Sequence, residues 1–244
     1  MKRLINKIGK LSVLIPLIFY LQTSEIKASS FEKDSTDTRY VVVIDPGHGW
    51  ENKEPGVMDW GDATYKEYKE ADIVFKQGLT IKELADSTKY KIILTRYDNE
   101  TSMPIEERQK LAKEVGADLF ISLHLNNYKK SYVRGFEVIY RQPECRKLAK
   151  LTVKNLEENL NTRNRGVKPK EKLVLKNPAC PSILIESGFL KNYNDRKYIL
   201  DNIPNIEQAI LATIDDYFKS NPVNPFPSRI KSRTNFQIPI NYNH

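Results

Sequence analysis

Three short apolar runs, each followed by a side chain that can bind metal or move a proton, constrain this chain more than any other feature. The first is Val41–Ile44, which leads through an Asp-Pro-Gly turn to His48. The second ends at His124, and the third ends at Glu186. Short runs rich in β-branched residues are typical of buried strands. Because open α/β sheets bind ligands at the carboxyl ends of their strands, we expect these three side chains to meet at one edge of one sheet.

Helical and strand patterns alternate along the rest of the chain. Further strands are predicted at 91–95, 135–140 and 172–175, and helices at 70–85, 102–114, 144–161 and 206–218. Strands that alternate with helices favour parallel pairing, because the chain must cross back over the sheet between them. The sequence therefore predicts a single α/β domain with a mostly parallel central sheet flanked by helices.

The two ends of the chain differ in composition from this domain. Residues 1–10 are basic, and residues 11–21 form an apolar run that is short for a bilayer span. This pattern is typical of a secretory signal peptide cleaved after Ala28, with a retained anchor as the alternative. We divide the chain into a signal peptide (1–28), a linker (29–39), the domain (40–220) and an aperiodic tail (221–244). The protein is then expected in the periplasm, the cell envelope or the medium, without a stable membrane anchor.

The net charge narrows the classes of partner. The formal net charge is +8, and it falls to +4 when the five basic residues and one acid of the signal peptide are removed. An excess this mild gives no case for a nucleic-acid partner.

The sequence leaves the state of the two cysteines open. Export permits a disulfide between Cys145 and Cys180. Two buried free thiols are equally compatible with the sequence, which does not show how closely the two residues approach.

The residues at the strand ends predict a metal site. Two histidines and one carboxylate are a common catalytic zinc shell, in which the fourth position is left for water. His48 and His124 supply the two imidazoles. Glu70, at the start of the first helix, is the expected acid because that helix end lies over the same sheet edge; Glu67 is the alternative on spacing alone. Glu186 is then free to exchange a proton with water.

Several motifs, in the same order, resemble the zinc-dependent N-acetylmuramoyl-L-alanine amidase family over residues 40–220. They are DPGHG at 45–49, EAD at 70–72, LTR at 94–96, ADLFISLH at 117–124, RGVK at 165–168 and IESGF at 185–189. The resemblance implies that one Zn²⁺ is held by His48, Glu70 and His124, with Glu186 as catalytic acid and base. The acid two positions after Glu70 matches the family and selects it over Glu67.

The resemblance also implies a substrate. Peptidoglycan would be cleaved at the amide between the lactyl group of N-acetylmuramic acid and the L-alanine of the stem peptide. Asn126 and Arg165 are candidates for substrate binding, as donors to the oxyanion that develops at the carbonyl. A carboxypeptidase-like zinc hydrolase that acts on the stem peptide, or a non-catalytic peptidoglycan-binding module, are the alternatives.

The chain departs from the family at a few positions. Trp50 replaces a small residue after His-Gly, and Leu125 replaces the usual Ala after the second histidine. Members that act in cell division often carry an insertion with a blocking helix after the strand that matches 135–140. Here the next helix follows almost directly, so we expect an enzyme that needs no activator. We also expect the protein to be a monomer.

Overall fold

The computed structural model describes residues 37–49, 59–98 and 103–222. The predicted signal peptide, most of the linker, Trp50, Ser102 and the tail beyond Pro222 lie outside these residues. Within the described part, no helix is long and apolar enough to cross a membrane.

A central sheet of six strands runs through the described residues. The strands are β1 (Tyr40–Pro46), β2 (Tyr90–Leu94), β3 (Leu119–Asn126), β4 (Phe136–Tyr140), β5 (Asn164–Pro169) and β6 (Ser182–Phe189). Their order across the sheet is β2-β1-β3-β6-β4-β5. The β4–β6 pair is antiparallel and the other four pairs are parallel, so the prediction of a mostly parallel sheet is confirmed.

Helices cover both faces of this sheet. They are α1 (Glu70–Leu84), α2 (Ile105–Glu114), α3 (Arg146–Asn159), α4 (Tyr193–Asp201) and α5 (Ile203–Ser220). Alternate residues of each strand point to opposite faces. Val42 and Ile44 therefore join the core formed with α1, α3 and α5, whereas Val41 and Val43 join the core beneath α2. Burial of both faces explains why the central strands are continuous apolar runs.

Two elements differ from the sequence prediction. Residues 172–175 were predicted to be a strand, but Leu173–Leu175 form a 3-10 turn. The strand in this part of the chain is β5, whose sequence is polar and half-buried because it lies at the edge of the sheet. Helix α4 was not predicted, since residues 193–201 have a weak apolar stripe. The Asn192 side chain caps this helix by accepting from the Asp195 amide at 3.1 Å.

The two cysteines are both buried and both free. Cys145 ends a 3-10 turn, Pro143–Cys145, that precedes α3, and its sulfur accepts from the Ser182 amide at 3.4 Å. Of the two states that the sequence left open, the structure has the free thiols.

Candidate metal centre and neighbouring carboxylate

The turn after β1 is held in place by a buried carboxylate. Asp45 accepts hydrogen bonds from Thr95 and Ser122, both at 2.6 Å, and its Oδ1 lies 3.0 Å from Arg108 Nη1. Burial alone would raise the pKa of Asp45, but Arg108 and the two hydroxyls hold it below its usual value. Arg108 also donates to the carbonyl of His48 at 3.1 Å. The geometry of this turn therefore depends on a buried ion pair between Asp45 and Arg108.

His48 adopts an unusual backbone conformation in this turn. Its φ of 60° lies in the left-handed region, which costs free energy for any residue other than glycine. The conformation directs the imidazole Nδ1 to the Asp59 carboxylate at 2.8 Å and leaves Nε2 for other partners. Burial lowers the pKa of His48, but Asp59 and Glu70 outweigh it and raise the pKa to about 10. Two carboxylates around one imidazole make this a position that favours positive charge.

The structure brings His48, Glu70 and His124 together at the carboxyl edge of the sheet. His48 Nε2, His124 Nδ1 and Glu70 Oε1 form a triangle in which each side measures 3.1 Å. Gly47 permits this approach, because a Cβ there would lie 2.3 Å from the His124 ring. Glu67, the alternative on spacing, is exposed and lies outside the cluster.

Glu70 is fixed by more than the two imidazoles. Its Oε1 accepts the Leu125 amide at 2.8 Å, and its Oε2 accepts the Ala63 amide at 3.1 Å. A Cβ on Gly61, whose φ is +87°, would lie 2.6 Å from the same Oε2, so only glycine fits there. Burial raises the pKa of Glu70, but His124 and His48 lower it well below its usual value. This carboxylate is therefore a fixed negative charge.

The donor set fits a zinc ion in both chemistry and spacing. Imidazole nitrogen and carboxylate oxygen are ordinary zinc ligands, and bonds of about 2.0–2.1 Å at tetrahedral angles separate the ligand atoms by about 3.3–3.5 Å. The triangle of 3.1 Å sides is close to that separation. Asp59 supplies the outer hydrogen bond that metal-binding histidines commonly make through their second nitrogen. The cluster can hold a metal ion.

Glu186 lies on the strand next to His124. The two residues are Cα partners across β3 and β6, so their side chains share a face of the sheet. Lys172 Nζ lies 3.5 Å from Glu186 Oε1. Oε2 is buried and has no hydrogen-bond partner among the described residues. Burial raises the pKa of Glu186, while His124 and Lys172 partly oppose that rise.

A second acid, Glu137 on β4, is the Cα partner of Glu186 on its other side. Unlike Glu186, it has a cation at each oxygen. Lys170 Nζ lies 2.5 Å from Oε1, and Arg165 Nε lies 3.2 Å from Oε2. Burial raises the pKa of Glu137, but these two cations lower it below its usual value. This acid is therefore a stable ion-paired carboxylate.

The two residues suggested for substrate binding lie in different surroundings. Asn126 is half-buried, ends β3 and pairs with Phe189 of β6 next to the cluster. Arg165 lies on the edge strand β5, where it contacts Glu137 and its guanidinium covers the Phe189 ring at 5.1 Å. Arg165 therefore reaches the neighbouring acid, and the metal cluster is formed without it.

Sequence reasoning did not identify Asp59 and Lys172. Asp59 lies in the long aperiodic segment between His48 and Glu70 and reaches His48 because its backbone pairs with that of Gly49. Lys172 follows β5, in a segment predicted to be a strand. A carboxylate or lysine in such segments carries no sequence signal that separates it from an ordinary surface residue.

Comparison with known families decides the class of this chain. The family profile described as N-acetylmuramoyl-L-alanine amidase matches residues 42–216, which include all three residues of the cluster and Glu186. The chain belongs to this family. It is a family of cell wall amidases, and the observed α/β fold is the fold of its catalytic domains.

Similar amidases are found in several bacteria. The probable cell wall amidase LytH of Staphylococcus saprophyticus is 26% identical over 179 residues, which are 72% of this chain and 58% of the relative. The N-acetylmuramoyl-L-alanine amidase LytC of Bacillus subtilis is 30% identical over 158 residues, 63% of this chain and 30% of the relative. The match thus spans less than two thirds of the length of either relative.

Two solved amidase structures resemble the fold closely. The N-acetylmuramoyl-L-alanine amidase of Clostridium difficile 630 matches 75% of this chain and 98% of its own, with a TM-score of 0.67 and 25% identity. AmiC2 of Nostoc punctiforme matches 74% of this chain and 97% of its own, with a TM-score of 0.66 and 27% identity. The amidase domain is therefore present here over nearly its full length.

Proposed function

We propose that this chain is an exported, zinc-dependent peptidoglycan hydrolase. It would cleave the amide that joins the lactyl group of N-acetylmuramic acid to the L-alanine of the stem peptide. The observation that carries the proposal is the 3.1 Å triangle of His48, Glu70 and His124, with a half-paired carboxylate, Glu186, on the adjacent strand. Membership of the amidase family supports the bond cleaved.

The chain's own residues divide into two groups by task. His48, Glu70 and His124 would hold Zn²⁺, and Asp59 would fix the orientation of His48. Bound zinc polarises a carbonyl and makes water acidic near neutral pH. Glu186 would accept the proton of the attacking water and return it to the alanine nitrogen as that nitrogen leaves. A group that both takes and gives a proton works best when its pKa lies near the working pH, and burial moves the pKa of Glu186 in that direction.

The short connection after β4 supports activity without a partner protein. Only two residues separate the end of β4 at Tyr140 from the 3-10 turn at Pro143 that leads into α3. A blocking helix inserted at this point has no room. We therefore propose that the zinc-loaded chain digests peptidoglycan on its own.

The test is digestion of purified peptidoglycan followed by mass spectrometry of the products. An amidase releases intact stem peptides with a new L-alanine amino terminus and leaves a free lactyl carboxylate on the glycan. Release of single terminal amino acids would instead indicate a carboxypeptidase. Sedimentation with peptidoglycan, with no product at any zinc concentration, would indicate a binding module. Hydrolysis that appears only after a second protein is added would contradict the proposal of activator-free activity.

Export is tested separately by the mature amino terminus. Terminal sequencing of the protein recovered outside the cytoplasm should begin near Ser29. Recovery of the chain in the cytosol with Met1 retained would contradict it.

A further inference from the structure

We propose that Lys172 is a positioning residue for Glu186: its ammonium holds Oε1 of the carboxylate and so leaves Oε2 for the reacting water. The inference rests on the proposed role of Glu186 as the proton acceptor. It adds a residue whose place in the reaction neither the motifs nor the family comparison provides.

The contact itself is asymmetric. Lys172 Nζ lies 3.5 Å from Oε1, whereas Oε2 has no hydrogen-bond partner among the described residues and is shielded from solvent. A buried carboxylate oxygen without a partner is costly, so such an atom needs an explanation. The attacking water supplies one, because it would donate a hydrogen bond to the unpaired oxygen just before it gives up its proton.

The backbone around Lys172 is held in place by hydrogen bonds and by buried neighbours. Lys172 donates its amide to the Lys170 carbonyl at 3.0 Å and accepts the Leu175 amide at 3.1 Å. Val174 and Leu175, immediately after it, are buried in the core beneath α2. Because the backbone is already ordered, holding the ammonium at Glu186 costs only the rotamer entropy of the Lys172 side chain. The side chain can therefore keep its ammonium at Glu186.

The neighbouring acid shows what full pairing looks like. Glu137 faces Glu186 across β4 and β6, and it has Lys170 at one oxygen and Arg165 at the other. Three cations from residues 165–172 thus serve two adjacent carboxylates, and one oxygen is left over. That oxygen is Glu186 Oε2. Without Lys172, the Glu186 carboxylate would lie beside a second carboxylate with neither of its own oxygens fixed.

Lys170 provides a matched control for the experiment. It lies two residues from Lys172, carries the same charge, and its side chain is 44% exposed compared with 42% for Lys172. It differs in its partner, which is Glu137. Lys172→Met and Lys170→Met therefore remove the same charge from the same segment but free different acids.

Kinetics on a soluble N-acetylmuramoyl-peptide with the zinc-loaded chain give the first readout. Misplacement of a reacting group by about 1 Å can cost 10²-fold, so we expect Lys172→Met to lower kcat by about 10–100-fold with KM little changed. Lys170→Met should keep kcat near that of the wild type. Lys172→Arg should restore most of the lost turnover, because it returns a cation to Oε1.

Crystal structures of the metal-free variants give a readout that does not depend on activity. In Lys172→Met the Glu186 carboxylate should be rotated or present in more than one conformer, whereas Lys170→Met should leave it as in the wild type. Zinc content and melting temperature should match the wild type in both variants. If Lys172→Met does not fold, Lys172→Gln takes its place, since it keeps a polar side chain without the charge.

Several results would overturn the inference. A normal kcat for Lys172→Met, with Glu186→Gln inactive, would refute the role of Lys172 and leave the proposed function intact. A raised KM at unchanged kcat would make Lys172 a substrate-binding residue instead. If Glu186→Gln is itself active, the proposed acceptor is wrong, and the inference falls with it.

Discussion

Glu70 and Glu186 are two buried acids at the same edge of the sheet, and their surroundings act on them in opposite directions. Glu70 is 1% exposed and both of its oxygens accept hydrogen bonds from backbone amides. Glu186 is 4% exposed, and its Oε2 has no partner among the described residues. The pKa of Glu70 is lowered by the two histidines, whereas that of Glu186 is raised by burial.

Burial alone therefore does not decide what a carboxylate can do. Two acids whose surroundings push their pKa values apart can divide the tasks of a hydrolase between them. A carboxylate that stays ionised suits a metal ligand, and one that is poorly paired suits proton exchange. Substitutions at Glu70, Asp59 and Glu207 test this division, and their effects on turnover should decrease in that order.

The largest effect is expected for Glu70→Gln. An amide oxygen carries no charge to hold Zn²⁺, and the variant also changes the atom that accepts the Leu125 amide. Zinc content should fall from about one ion per chain to near zero, and turnover should fall below detection. Elemental analysis of the purified variant, with the wild type in parallel, measures this. A variant that retains zinc would show that Glu70 is not a ligand. The proposed division of tasks between Glu70 and Glu186 would then be wrong.

An intermediate effect is expected for Asp59→Asn. The change keeps the size of the side chain and removes the charge that orients His48 through Nδ1. Loss of such an outer partner typically costs about 10–100-fold in metal affinity. Competition with a chelator gives the zinc affinity. Equal affinities for variant and wild type would mean that the cluster holds His48 without this carboxylate.

The smallest effect on turnover is expected for Glu207→Gln, which separates burial from function. Glu207 on α5 is fully buried, and neither of its oxygens has a hydrogen-bond partner among the described residues, although Gln77 of α1 lies close. Burial raises the pKa of Glu207 well above its ordinary value, as it does for Glu186. Because Glu207 lies between helices and outside the metal cluster, turnover of the variant should equal that of the wild type.

Stability against pH should nevertheless distinguish Glu207→Gln from the wild type. The folded chain keeps a proton on Glu207 that the unfolded chain releases above its ordinary pKa near 4.5. The folded state then binds more protons than the unfolded state, so the free energy of unfolding should fall by about 1.4 kcal/mol per pH unit above that value, until the pKa in the folded state is reached. Denaturant unfolding between pH 5 and 7 measures the slope. A slope that persists unchanged in Glu207→Gln would mean that another group causes it.

The parts of the structure that followed from the sequence are those with a strong local pattern. The short apolar runs before His48 and His124 predicted central strands, and the rule for strand ends predicted that these side chains lie at one edge. The acid at the start of α1 could be located because a helix that follows a parallel strand begins over that same edge. In each case the pattern and the tertiary position depend on the same requirement, burial on both faces of the sheet.

The rest depended on tertiary contacts that leave no period in the sequence. Strand β5 is polar because it lies at the sheet edge, and its pairing with β4 is what makes it a strand. Asp59 reaches His48 through one isolated backbone bridge to Gly49. Lys172 reaches Glu186 from a 3-10 turn region whose position is set by the buried Val174 and Leu175. Neither residue could be separated from surface charge by sequence alone.

The division of tasks between Glu70 and Glu186 is best tested with Glu186→Gln, with zinc content and released products measured on the same sample. The amide keeps the size of the side chain but cannot accept the proton of the attacking water. We predict about one zinc ion per chain, unchanged binding to peptidoglycan, and turnover lowered by about 10²–10⁴-fold, the usual contribution of a general acid–base residue. Loss of zinc would make Glu186 a ligand, and near-normal turnover with zinc retained would show that the proton acceptor lies elsewhere; either result would contradict the division between Glu70 and Glu186.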